Sequence, residues 1–185
     1  MAGPREPRKH LIVLGFISLW VGCSATWAQP LPALPAPLPV LARAAQTIGV
    51  RRCLSAITAI AGRTGQGATH QDVILDWDHR TPDAAAFFSL TGLEYGPLSA
   101  AFSLTTVPDA TGGCSILAER ISAAPIACRL VAQRELTGYT GTPLLSSITV
   151  YTNPRTPRET VTLVNSPPGC LIVRRQVEYG WRPAP

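Results

Sequence analysis

His70, Asp72, Asp76, Asp78, His79 and Asp83 form the one polar constellation in this chain that is able to hold a divalent cation or to pair as acid and base. Val73, Leu75 and Trp77 alternate with Asp72, Ile74, Asp76 and Asp78, the period of a half-buried strand. Asp72, Asp76 and Asp78 then project from one face. At about 3.3 Å per residue, Asp72 and Asp76 lie about 13 Å apart and cannot share an ion, whereas Asp76 and Asp78 lie about 6.6 Å apart and can. The metal set to consider is therefore Asp76, Asp78 and His79, and it would make the protein a small exported metal-dependent hydrolase.

A plainer account competes with that chemistry. Carboxylates alternating with apolar residues describe a strand whose polar side meets water, and such groups lack the desolvation that tunes catalytic acids. Asp83 follows Pro82 and precedes Ala84–Phe88, which reads as an N-cap and a short helix with Gly92 beyond. Arg80 is placed to neutralise a neighbour. On this account the chain has no catalytic residue, no cofactor and no metal, and is not expected to be an enzyme.

Other sources of chemistry are sparse. The sequence contains no Gly-x-Ser-x-Gly elbow, His-Glu-x-x-His helix, P-loop or dinucleotide fingerprint. Gly62, Gly65 and Gly67 follow a helix rather than joining a strand to one, so they do not cradle phosphate. Arg155, Arg158, Arg174, Arg175 and Arg182 suggest an anionic partner. However, Arg174 and Arg175 are adjacent in an expected strand and point to opposite faces.

The environment follows from the first residues and the cysteines. Arg5, Arg8 and Lys9 precede the uncharged run Leu11–Gly22, and Thr26-Trp27-Ala28 precedes Gln29, the order of a secretory signal over 1–28. Cleavage after Ala28 would leave a periplasmic or secreted chain. The alternatives are a membrane anchor through Leu11–Ala28 or lipidation of Cys23, where Trp20 departs from the leucine a lipobox normally carries. Past residue 28, 13 Arg, no Lys and 10 Asp plus Glu leave a dispersed +3, which excludes nucleic acid as the expected partner.

Cys53, Cys114, Cys128 and Cys170 remain, an even number suited to two structural disulfides in an exported domain. If Cys114 opens a strand and Cys128 opens the next helix, about 30 Å separates those regions. The expected pairs are then Cys53–Cys128 and Cys114–Cys170.

The elements that would position these groups begin after a proline-rich linker at 29–39. Residues 41–61 carry two helical faces with a phase change near Gly49. Strands are expected at 72–78, 99–107, 114–122, 146–152, 159–164 and 170–179, with a helix at 125–135 between the third and fourth. This order predicts one α+β domain over 40–185, an antiparallel sheet of five or six strands with helices packed on one face and disulfides stabilising it. The expected role is a non-catalytic, envelope-associated module that binds a protein, peptide or glycan.

Overall fold

A computed structural model describes residues 37–183. The expected secretory leader, Cys23 and the expected linker as far as residue 36 lie outside the described residues.

Eight strands build one antiparallel sheet. They are β1 (His70–Trp77), β2 (Phe87–Tyr95), β3 (Leu98–Pro108), β4 (Cys114–Ala124), β5 (Thr140–Leu145), β6 (Ile148–Thr152), β7 (Glu159–Ser166) and β8 (Gly169–Trp181). The spatial order is β1-β2-β3-β4-β8-β7-β6-β5, so two four-strand meanders meet where β4 pairs with β8. Alternation sets the faces. In β2, Phe87, Ser89, Thr91 and Leu93 are buried while Phe88, Leu90, Gly92 and Glu94 face outward.

Three helices lie on one face. α1 (Val40–Thr47) buries Leu41, Ala42 and Ala45, and α2 (Leu54–Thr64) buries Ala56, Ile57, Ile60 and Ala61, the spacing of an amphipathic helix. Gly49, at φ +96°, supplies the left-handed turn between them that other residues adopt only with strain. These helices share a core with Phe87, Leu93, Phe102, Leu104 and Ile116. α3 (Cys128–Glu135) closes a smaller core with Leu136, Val161, Leu163 and Ile172. Each core carries one disulfide, Cys53–Cys114 in the first and Cys128–Cys170 in the second. Among the described residues no helix lies over the opposite face, where Ile74, Phe88 and Leu90 stand exposed.

The structure corrects the expected α+β fold of five or six strands. The described chain is 18% helical and 48% strand, so it is a single eight-stranded antiparallel sheet with three short helices. Two strands escaped the sequence reading for physical reasons. β5 contains Gly141 and Pro143, which disfavour a central strand but are tolerated at the sheet edge that β5 occupies. β2 was obscured by Ala84-Ala85-Ala86, whose helical propensity is overridden because β2 pairs along its full length with β1 and β3. The expected helix at Ala84–Phe88 is thus a turn leading into a strand.

The disulfide pairing is also corrected: the bridges are not Cys53–Cys128 and Cys114–Cys170. Cys170 pairs in register with Ala124, ten positions along β4 from Cys114, a separation of about 33 Å that no disulfide spans. The chain instead folds back across Pro125–Ala127 and sets Cys128 over Cys170, with Cα atoms 4.9 Å apart. Cys53, just before α2, reaches the start of β4 at a Cα distance of 5.8 Å. The two disulfides mark an oxidising, exported environment. No helix among the described residues is long and apolar enough to cross a membrane.

Candidate functional site

The acidic constellation is spread out and engaged locally. His70 sits opposite Glu94 on β2 and approaches it at 3.3 Å, an exposed pair. Asp72 and Asp76 lie on the uncovered face of β1, while Asp78 has left the strand. Asp78 accepts the Arg80 backbone N–H at 2.8 Å and the Thr81 hydroxyl at 2.9 Å, and these bonds hold its carboxyl below the ordinary carboxylate range. His79 tilts against Trp77 with ring centroids 4.3 Å apart. Among the described residues, no group of three or more His, Cys, Asp or Glu converges as metal ligands would.

Asp83 has a different job from the expected cap of Ala84–Phe88. Its Oδ1 accepts the backbone N–H groups of Arg51 at 2.7 Å and Arg52 at 2.6 Å, ahead of α2 and over thirty residues away in sequence. The carboxylate therefore ties the β1–β2 connection to the start of the helical cap. Charge-assisted bonds of this kind exceed neutral ones in strength. Asp83→Ala is expected to destabilise the protein by about 1–2 kcal/mol, with Asp83→Asn recovering part of the loss. Urea denaturation of the three proteins checks this, and equal midpoints would refute the tether.

The arginine group suggested by the sequence also disperses. Arg158 pairs with Glu178 on the covered face, Arg175 with Glu119 on the uncovered one, and Arg182 donates to the Thr111 carbonyl. Arg155 and Arg158 line one concavity, and Arg174 and Arg175 line another.

The second concavity is the seam between the two cores. α1 and α2 cover β1–β4, α3 covers β7 and β8, and neither cap reaches across the middle of the β4–β8 pair. A groove of about 530 Å³ remains. Its floor is Phe102, Ala118, Arg120, Arg174, Gln176 and Val161, and its walls are the end of α2 on one side and Tyr139 and Glu159 on the other. Tyr95 donates its hydroxyl to the Thr64 carbonyl at 2.7 Å, which closes the α2 side. The Arg120 guanidinium lies 5.2 Å from the centre of the Tyr95 ring, within cation–π range.

Sequence reasoning did not select Arg63, Arg120 or the groove. The signal was present but faint. Arg120 continues the phase of Cys114, Ile116 and Ala118, and Arg174 continues that of Cys170 and Ile172. A charged residue on the apolar phase of a strand marks a place where the covered face turns polar. No family model, curated protein or solved structure matches this chain.

Proposed function

We propose that this chain is an exported, non-catalytic binding module that holds its ligand in the groove between the two helical caps. One observation carries the reading: the covered face of the sheet is interrupted at β4–β8 by a concavity that mixes apolar, aromatic and cationic side chains. Binding sites for small molecules characteristically combine an apolar lining with a few convergent polar groups. Antiparallel β4 and β8 make a rigid floor, and the disulfides fix α2 and α3 on either side. In this reading the leader is removed after Ala28 and the mature protein is periplasmic or secreted, so the ligand is one met in the cell envelope or beyond.

The test is native mass spectrometry of the protein recovered after export. The expected species begins at Gln29 and carries one small molecule per chain. Gln176→Trp, which fills the groove from its floor beside Ala118 and Arg63, is expected to arrive empty. A ligand retained at full occupancy by Gln176→Trp would overturn the reading. Stoichiometric zinc or calcium, lost in Asp76→Ala, would favour a metal-dependent hydrolase instead.

A further inference from the structure

On the covered face, one line of register partners runs Val73, Thr91, Phe102, Arg120, Arg174, Val161 and Tyr151 across seven strands. Two arginines thus stand directly opposite each other on adjacent strands, in the middle of a line of mostly apolar side chains. Like charges in that relation repel and destabilise a sheet. Only one of them has a carboxylate partner, while Arg120 rests against the Tyr95 ring. Arg174 donates to Glu135 at 2.7 Å, whereas Arg63 on the groove wall donates to the neutral Gln176 at 3.2 Å.

Among the described residues neither Arg63 nor Arg120 forms an ion pair with a carboxylate. Glu159 stands exposed at the edge of the groove and takes part in none of these pairs. Arg120 Nε is buried with no hydrogen-bond partner. An unsatisfied buried donor on a charged group is costly, and a second cation opposite it adds to that cost.

Resting on the groove as the binding site, we propose that Arg120, Arg174 and Arg63 receive the oxyanion head of a small amphiphile, a carboxylate or phosphate monoester. Guanidinium forks match the geometry of both groups, and a shared anion turns the Arg120–Arg174 repulsion into attraction. The head group lies between the two floor arginines and takes the Nε–H of Arg120. The apolar body lies against the half-buried rings of Tyr95 and Tyr139, above the buried Ile60, Phe102 and Val161. An inorganic anion alone leaves most of a 530 Å³ groove unfilled, so the apolar body is part of the proposal.

Calorimetric titration of the mature protein with octanoate, octyl phosphate, inorganic phosphate and octanol tests this. One of the two charged amphiphiles is expected to bind at one per chain, and which of them binds more tightly identifies the head group. Inorganic phosphate and octanol should each bind at least about tenfold more weakly, since each lacks one of the two components. Arg120→Gln and Arg63→Gln should each weaken binding about tenfold or more, with Arg120→Lys intermediate. In the absence of ligand, Arg120→Gln should melt at the wild-type temperature or above it, because it removes the repulsion. An arginine kept for structure alone would give a lower value.

Octanol binding as tightly as the charged probes would overturn the anion while leaving the groove in place. So would affinity for the anions that is insensitive to Arg120→Gln. Failure of every probe would overturn the proposed ligand class, and the co-purification experiment with Gln176→Trp then judges the groove independently.

Discussion

Replacing Cys128 and Cys170 together by serine is expected to lower stability by about 2–5 kcal/mol, or roughly 5–15 °C in melting temperature. The bridge spans 42 positions, and the chain-entropy model assigns a loop of that length about 4 kcal/mol. Its local effect should be sharper than its global one. The core beneath α3 contains few buried side chains, chiefly Val131, Leu136, Val161, Leu163 and Ile172, so the helix has little else to hold it. Amide exchange should show residues 128–136 losing protection before the sheet does. The Cys53–Cys114 pair closes a longer loop, but α1 and α2 pack over a larger core, so its removal should leave the local protection of α2 less affected. Non-reducing peptide mapping should return Cys53–Cys114 and Cys128–Cys170. Swapped partners, or an unchanged denaturation midpoint in the Cys128/Cys170 double variant, would contradict the arrangement.

Phe87→Ala is expected to cost about 3–5 kcal/mol, whereas Phe88→Ala should cost roughly 1 kcal/mol or less. Phe87 is 1% exposed under the larger core and Phe88 is 47% exposed on the uncovered face. The contrast follows from strand alternation, which sends neighbours to opposite sides of the sheet. Had residues 84–88 formed a helix, the two rings would lie about 100° apart and share an environment more nearly. Guanidinium denaturation of the two single variants measures the difference directly. Similar losses for both would argue against the β2 register.

Local chemistry explains why some elements were legible. The α1–α2 pair follows from two apolar faces broken at Gly49, because amphipathic periodicity and a left-handed glycine are local signals. The alternation of Val73, Leu75 and Trp77 marks β1 for the same reason, and the even set Cys53, Cys114, Cys128 and Cys170 implies two bridges. β2 and β5 were hidden because local propensity opposed them. Ala84–Ala86 favours helix, and Gly141 and Pro143 disfavour strand. Long-range pairing with β1, β3 and β6 outweighs both preferences, and no window of sequence contains those partners.

The sequence by itself determined the chemistry available: an exported chain with paired cysteines, short amphipathic helices and strands patterned for one covered face. Which groups meet was decided by tertiary structure alone. The pairing of β4 with β8, from opposite halves of the chain, brings Arg120 against Arg174 and separates Cys114 from Cys170. Register is a property of two strands together, and a single strand's alternation specifies its faces but not its neighbour. The same pairing leaves the seam between the caps open, so the groove exists only once the two meanders have joined. Asp78 and Asp83, close in sequence, engage Arg80, Thr81 and the backbone before α2 instead of each other. Proximity along the chain was a poor guide to the site because an extended strand carries neighbours apart, whereas sheet pairing places residues over fifty positions distant side by side.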